Sequence, residues 1–315
     1  VEGREVLSGE GNNLIAYQDI PTEFNAWEIE GDIYEKGEEL PPPGKVEVLE
    51  EGPVRGVLRL RRTFGDSELA QDIVIYEGSK RIDFETTVNW REDKVLLKAQ
   101  FPINVRTNKA TYEVQYGHYE RPTHSNTSWD KARFETAHQK WVDLSEYGYG
   151  AALLNDGKYG VNVDGSTVGL SLLRAPKGPD PQADMGEHHF TYSLLPHSGD
   201  FREAGVIEEA YDLNLPPKTV KTEGFDSIPP LLEINDRGVV AESVKLSEEN
   251  EEMIVIRLYE GWGRETEAEI KFNFEPKEVK ELNIIEDVKG DLSLENDRLR
   301  LKFEGFEIKT IGVRW

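Results

Sequence analysis

The sequence predicts an all-β protein of two domains. Hydrophobic and polar residues alternate with a period of two along most of the 315 residues, Gly- and Pro-containing turns separate these stretches, and one segment alone has helical periodicity. A chain of this length also exceeds the roughly 250–300 residues at which a single core stops growing efficiently. These observations indicate packed antiparallel sheets with two separate cores.

The strands of the first domain are predicted from alternation that is rich in β-branched and aromatic residues. The clearest are KVEVLEEG (45–52), VLRLRRTF (57–64), QDIVIYEG (71–78), RIDFETTVNW (81–90) and KVLLKAQFPI (94–103). Turn residues such as Gly65-Asp66 separate them. VGLSLLRA (168–175) has the more continuous apolar pattern of a fully buried strand.

One helix and one connection interrupt this pattern. FREAGVIEEAYDLN (201–214) places Val206, Ala210 and Leu213 on one stripe at helical spacing, and two prolines follow it. The Pro-rich polar segment 214–230 then predicts an interdomain connection. We therefore expect domains at 1–220 and 228–315. Seven further strand patterns in the second domain indicate a small sandwich: LLEI, VVAESVKL, MIVIRLYEG, EAEIKFNF, VKELNII, LRLKF and FEIKTIGVRW.

Composition excludes several classes of function. The 61 acidic and 37 basic residues give a net charge of −24, which repels both nucleic acid and anionic membranes. Cysteine is absent, so disulfides, thiolate catalysis and Cys-ligated metals are excluded. No window approaches the roughly 20 apolar residues of a membrane span. No signal-peptide pattern opens the sequence, and we expect a cytoplasmic protein.

The least regular part of the chain suggests a ligand site. Residues 116–135 and 174–190 are predicted to be long loops that combine aromatic and polar side chains. Sugars suit such a surface, because ring faces stack on aromatic residues while hydroxyls bond to polar ones. The alternative is that Trp129, Trp141 and Tyr147 only fill a core beneath the loops.

ADMGEHHF (183–190) concentrates ionisable groups. Asp184 or Glu187 could act as an acid or base, and His188 or His189 as a sugar contact. In an extended segment, adjacent side chains point to opposite faces, so the two imidazoles do not readily share a metal. We expect no metal site within this chain.

Four segments together resemble glycoside hydrolase family 38, the α-mannosidases. They are YQDIPTEFNAWEIE (17–30), VNWREDKVLLKAQFP (88–102), YGHYERPTHSNTSWDKARFETAHQKWVDLSEYGYGAALLNDGKYG (116–160) and LSLLRAPKGPDPQADMGEHHFTYSLLPHSG (170–199). RLYE (257–260) and the closing FEIKTIGVRW are similar to the end of that family's chains. The resemblance covers nearly the whole sequence, but only the C-terminal portion of the family.

The resemblance implies a fold for each domain and assigns the catalytic residues to another part of the enzyme. The first domain, 1–220, is expected to be a galactose-mutarotase-like supersandwich whose first strands precede Val1, and 228–315 a smaller β-sandwich. In the complete enzyme, a separate barrel carries an Asp nucleophile and most ligands of a zinc ion for a retaining reaction. No His-x-Asp pair of the family's zinc site occurs here. We therefore expect no catalytic residue in this chain and no activity of the chain alone.

The resemblance also implies that loops of this portion contribute to the rim of the active site. Asp184, Glu187 and His188 are the first candidates for substrate binding, and Asn25 and Trp27 are the second. Relatives often have Phe-Asp-x-Trp where this sequence has Phe-Asn-Ala-Trp at 24–27. An α-mannoside substrate, the chain's own N-terminal catalytic domain and a homo-oligomer are the partners expected.

Two other functions fit the same residues. A stand-alone sugar epimerase or lyase on this fold would use Glu187 with His188 for ring opening. A carbohydrate-binding or oligomerisation module would need no catalytic group at all. The added sandwich at 231–315 and the first strands missing before Val1 argue against the first of these alternatives.

Overall fold

The computed structural model describes residues 3–221, 223–224 and 228–315. The chain forms two compact units, one of Val1–Glu113 with Tyr119–Pro217 and the other of Val114–His118 with Lys218–Trp315. The predicted domain limits stay predictions, and four residues of the predicted connection (222 and 225–227) lie outside the described residues. No helix among the described residues is long and apolar enough to cross a membrane.

Fifteen strands that lie wholly or mostly among the described residues of the first unit confirm the all-β class. In chain order they are β1 Asn13–Gln18, β2 Gly37–Glu39, β3 Lys45–Glu51, β4 Arg55–Phe64, β5 Ser67–Tyr76, β6 Ile82–Trp90, β7 Val95–Pro102, β8 Lys109–Val114, β9 Gly117–Pro122, β10 Thr136–Ala137, β11 Trp141–Glu146, β12 Tyr149–Asn155, β13 Gly160–Asp164, β14 Thr167–Leu173 and β15 Gly186–Ser198. All six strands predicted above are present within a few residues of their predicted limits.

These strands form two antiparallel sheets of unequal width. The narrower sheet has six strands in the order β10-β13-β14-β7-β1-β2, and the wider has nine in the order β3-β4-β5-β6-β15-β12-β11-β8-β9. Alternate residues of the central strands enter one core between the sheets. On β6, for example, Phe84, Val88 and Trp90 are buried in that core, whereas Glu85 and Thr87 are exposed on the other face.

Three short helices accompany the sheets in the part of the chain that the structure describes. They are α1 Ser128–Ala132, α2 Phe201–Ala204 and α3 Val206–Asn214, and a 3₁₀ turn covers Ile33–Lys36. The prediction of one helix over 201–214 was wrong, because Gly205 has a left-handed φ of +84° that an α-helix cannot continue through. α3 packs on β11 and β12 through its buried Val206, Ile207 and Ala210.

Both predicted loops contain regular structure. Residues 116–135 include β9 and α1, and α1 begins with a reciprocal capping box between Thr127 and Asp130. Residues 174–190 are irregular only up to β15. Hydrophobic periodicity did not reveal β9 and α1, because neither of these polar elements has a clear apolar stripe.

The described part of the second unit is a smaller sandwich of eight strands. They are β16 Leu232–Ile234, β17 Val239–Leu246, β18 Met253–Glu260, β19 Thr266–Phe272, β20 Glu278–Leu282, β21 Val288–Leu292, β22 Arg298–Phe303 and β23 Ile308–Arg314. The sheets are β16-β19-β22 and β17-β18-β23-β20-β21, with one core between them. The seven predicted strands are confirmed. β21 was missed, because VKGDL carries a glycine and two charges.

A buried ion pair lies on the face of the six-stranded sheet that points away from the core. Lys98 of β7 is fully buried, pairs with Glu135, and donates to the Tyr34 hydroxyl at 3.2 Å. Burial lowers the pKa of Lys98, although the Glu135 carboxylate opposes this, and burial also raises the pKa of Tyr34. The pair thus ties two irregular segments to the sheet.

His138 is a second buried ionisable group of the first unit. Its Nδ1 lies 3.0 Å from the Tyr159 carbonyl oxygen, and its Nε2 lies 3.0 Å from Asn155 Nδ2. Nδ1 must therefore donate and Nε2 accept, which is the pattern of a neutral ring. Burial lowers the pKa of His138 to about 4, helped by the charge of Lys98.

Removing one member of the buried Lys98–Glu135 pair should lower the stability of the first unit. We expect Glu135→Ala to lower the free energy of unfolding of the first unit by about 3 kcal/mol, because Lys98 would be buried without its partner. Urea unfolding followed by tryptophan fluorescence measures this. The double variant Lys98→Met/Glu135→Ala is the control and should lose less. A double variant as unstable as the single one would contradict the assigned role.

His138 should make stability depend on pH. The unfolded chain protonates this residue below about pH 6.5, whereas the folded chain does so only near pH 4. Its contribution is therefore complete above pH 6.5 and is lost as the pH falls toward 4, by about 3 kcal/mol in all. Between these pH values, the unfolding free energy of His138→Gln should fall less steeply than that of the wild type. Parallel pH profiles would refute the assignment.

Candidate functional site

Arg174, directly after β14, joins two segments that lie far apart in sequence. Its guanidinium forms a bidentate ion pair with Asp19, at 2.6 Å and 3.2 Å, and donates to the carbonyl oxygens of Ala26 (3.2 Å) and Glu28. Asp19 is only 1% exposed. Because the planar guanidinium fixes all these partners at once, it holds the segment after β1 against the segment before β15.

Asp184 stabilises the second of these segments from within. Its Oδ2 accepts hydrogen bonds from the backbone N–H groups of Arg174 and Ala175, at 3.0 Å and 3.1 Å. Its own φ is +57°, and its carbonyl oxygen accepts from Nε2 of His188 at 2.9 Å. The carboxylate of this predicted sugar contact is thus already engaged in shaping the loop.

Asn25 connects the two segments a second time. Its Oδ1 accepts from the backbone N–H of Lys177, whose ammonium pairs with Asp93 at 2.5 Å. The structure therefore brings three predicted site residues, Asn25, Asp184 and His188, into one network around Arg174.

The side chain of Trp27 lies outside this network and is exposed to solvent. Its side chain is 71% exposed, and its neighbours Phe24 and Ile20 are 61% and 53% exposed. An exposed ring held on an anchored loop is suited to stacking on a sugar face or packing on another domain.

Glu187 points to the face of the nine-stranded sheet that is turned away from the core. It lies on β15 and, as the alternation predicts, His188 and His189 point to opposite faces. Glu187 Oε1 lies 3.0 Å from His189 Nε2, and His189 Nδ1 lies 3.0 Å from Thr87 Oγ1. Glu187 and His189 are both well exposed, so this short chain of polar groups is open to a ligand.

A groove of about 720 Å³ runs along this open face. Its charged side chains carry both signs, which suits a neutral ligand with many hydroxyl groups. No aromatic ring is among its described lining residues, so a sugar would be held there by polar contacts alone. The groove is lined by Pro41, Pro42, Gly44, Lys45, Arg61, Arg62, Thr63, Glu68, Leu69, Ala70, Thr87, Asn89 and Glu187.

Sequence reasoning missed several of the residues that build these two surfaces. Arg174 and Asp19 lie in the segments that carry the family resemblance. Each is a charged residue close to the end of an apolar run, and this was the only sequence signal that could have marked them as site residues. Glu85 of β6 points to the same face as Thr87 but is not among the described residues that line the groove. Burial raises the pKa of Glu85, and the carboxylates of Asp72 and Asp83 add to this.

The donor groups of this chain do not fit the zinc ion that the resemblance implies for the complete enzyme. Within residues 3–221, 223–224 and 228–315, no three His, Asp or Glu side chains are grouped so that they could hold a metal ion. The buried histidines have other partners; His197, for example, bonds to Asp143 at 2.8 Å.

Relatives identify the chain independently of its geometry. Mouse alpha-mannosidase 2C1 is 39% identical over 319 residues, covering 98% of this chain and 31% of the relative. Alpha-mannosidase G of Dictyostelium discoideum is also 39% identical, covering 98% of this chain and 30% of the relative. The chain thus spans about a third of the length of these relatives.

A solved structure has the same fold. An alpha-mannosidase from Enterococcus faecalis V583 matches with a TM-score of 0.77 at 18% identity, over 97% of this chain and 38% of that one. The model of the glycosyl hydrolases family 38 C-terminal domain matches residues 2–182, and that of the family's C-terminal beta sandwich domain matches residues 238–311. The chain belongs to glycosyl hydrolase family 38.

Proposed function

We propose that this chain is the C-terminal part of a retaining α-mannosidase and that it contributes to carbohydrate binding and domain assembly without being active alone. The observation that carries this proposal is the alignment of nearly the whole chain with only a third of each α-mannosidase relative. The reaction then belongs to an N-terminal catalytic domain, which supplies the nucleophile and the zinc ion. An isolated epimerase would not be expected to match these longer enzymes along its full length.

Within that enzyme, we place the substrate-binding role on two surfaces. Trp27 would offer a ring face, presented by the network of Asn25, Asp184 and His188. Glu187 would accept hydrogen bonds from sugar hydroxyls, and a charged acceptor makes such bonds about twice as strong as a neutral one. The cytoplasmic location and a homo-oligomer stay predictions.

The division of labour is tested by comparing this chain with the longer polypeptide encoded by its gene. We expect the longer polypeptide to hydrolyse an aryl α-mannoside with retention and to lose activity when zinc is chelated. The present chain alone should show no turnover above background. Zinc-dependent hydrolysis by the 315-residue chain alone would overturn the proposal.

Glu187 and Asp184 should affect the enzyme differently. In the complete enzyme, we expect Glu187→Gln to lower kcat/KM about tenfold, on the order of 1.4 kcal/mol, with unchanged thermal stability. Asp184→Ala should lower both kcat/KM and Tm, because two backbone N–H groups lose their acceptor.

Steady-state kinetics and thermal unfolding measure both effects. Glu120→Gln, on the edge strand β9 of the same sheet, is the matched control and should behave as wild type. If Glu187→Gln keeps wild-type kinetics, the groove does not contact the substrate.

A further inference from the structure

A pocket of about 530 Å³ lies beside the groove, between the turn that follows β6 and the segment that precedes β15. Asn89 lines both the pocket and the groove, and Gly186 of the pocket directly precedes Glu187 of the groove. Cavities of about 300–1,000 Å³ enclose small ligands, so the pocket alone could hold one sugar ring. A longer ligand could extend from the pocket into the groove.

Lys177 connects the two walls of this pocket. Its ammonium pairs with Asp93, on the β6 side, at 2.5 Å and donates to the carbonyl oxygen of Pro181, on the β15 side, at 3.0 Å. The Lys177 side chain is only 19% exposed, and its backbone N–H donates to Asn25. Because the protein itself supplies these contacts, the pocket is preformed, and a ligand would have few side chains to order.

Three side chains of the pocket have unused hydrogen-bonding capacity. The amides of Asn89 and Gln182 and the guanidinium of Arg91 form no hydrogen bond with any of the described residues. An amide both donates and accepts, as a sugar hydroxyl does, so it can bond to a hydroxyl in either orientation. Met185 adds an apolar surface, against which the C–H face of a sugar ring could pack.

Asn89 lies at the junction of the pocket and the groove, between two carboxylates. It is the direct cross-strand partner of Glu187 on β15 and of Glu68 on β5. Cross-strand partners share a face of the sheet, so the three side chains form a row on the side that faces away from the core. The two carboxylates would repel an acidic sugar, whereas all three side chains can bond to hydroxyl groups. The row therefore favours a neutral sugar chain.

We propose that the pocket and the groove form one binding channel for a neutral oligosaccharide of two or more rings, with Asn89 as the specificity-determining contact between them. This inference rests on the proposed function and adds the length of the substrate to it. The catalytic domain would hold the reacting mannose, so the rings on the leaving-group side of the scissile bond occupy the channel. A second sugar ring can bond to the Asn89 amide, whereas a phenyl leaving group cannot.

A protein surface is a poorer occupant of this channel. Stable contacts between proteins depend on the burial of apolar side chains. None of the described lining residues of the pocket or the groove is an exposed large hydrophobic side chain. Leu69 and Trp90, which line the groove and the pocket, are themselves buried in the core of the first unit.

The test compares two substrates of the longer polypeptide encoded by this chain's gene. Asn89→Ala removes the donor and the acceptor of the amide. We expect this variant to lower kcat/KM for α-mannobiose about tenfold more than kcat/KM for phenyl α-mannoside, because only the disaccharide has a second ring to bond. Asn108→Ala, at an exposed position of the same unit that lines neither cavity, is the matched control and should leave both values unchanged.

An equal loss for the two substrates, or no loss for either, would overturn the inference, since a purely structural role does not discriminate between leaving groups. If the longer polypeptide hydrolyses neither substrate, the proposed function is refuted, and calorimetric titration with α-mannobiose then tests the channel by itself. Binding to the wild type that Asn89→Ala weakens about tenfold would support the channel. Equal binding by both proteins, or binding by neither, would overturn it.

Discussion

The two sheets of the first unit differ in width, and this difference constrains the unit more than any other feature. A six-stranded sheet packs on a nine-stranded one, and a sheet can bury only the area that its partner covers. The central strands β6, β7 and β15 therefore hold the core, where Phe84, Phe101 and Tyr192 pack against one another. The outer strands β3, β4 and β5 extend past the narrower sheet. The groove is on these strands, on the side that faces away from the core.

Buried charges then attach the irregular segments to the sheets. Asp19 with Arg174 joins two irregular segments that are 155 residues apart in sequence, and Glu135 with Lys98 joins a loop to β7, 37 residues away. Burying any one of these charges without its partner would cost several kcal/mol. Each loop conformation is therefore stable only when both members of its ion pair are in place. This requirement selects one arrangement of the loops, although an ion pair adds little net stability compared with apolar packing. The site therefore owes its shape to pairs that are not themselves exposed to a ligand.

Sequence alone predicted the strands well, because alternation is a local property that burial on one face imposes. It failed where a single residue decides the conformation, as at Gly205, or where charge hides a strand, as in β21. The site was predicted in part. Asp184 and Asn25 were recognised as notable residues, but their bonding partners are Arg174 and Lys177. Asn25 lies 152 residues from Lys177, and no local pattern reveals such a pairing.

The network also accommodates Asn25 at a position where the family resemblance leads us to expect Asp. The contact made at this position is acceptance of one backbone N–H, that of Lys177, and an amide oxygen accepts it as a carboxylate oxygen does. The negative charge next to this loop is already supplied by Asp93, which pairs with the Lys177 ammonium. A carboxylate at position 25 would strengthen one hydrogen bond without creating another contact. The loop that presents Trp27 therefore needs an acceptor at this position, not a charge.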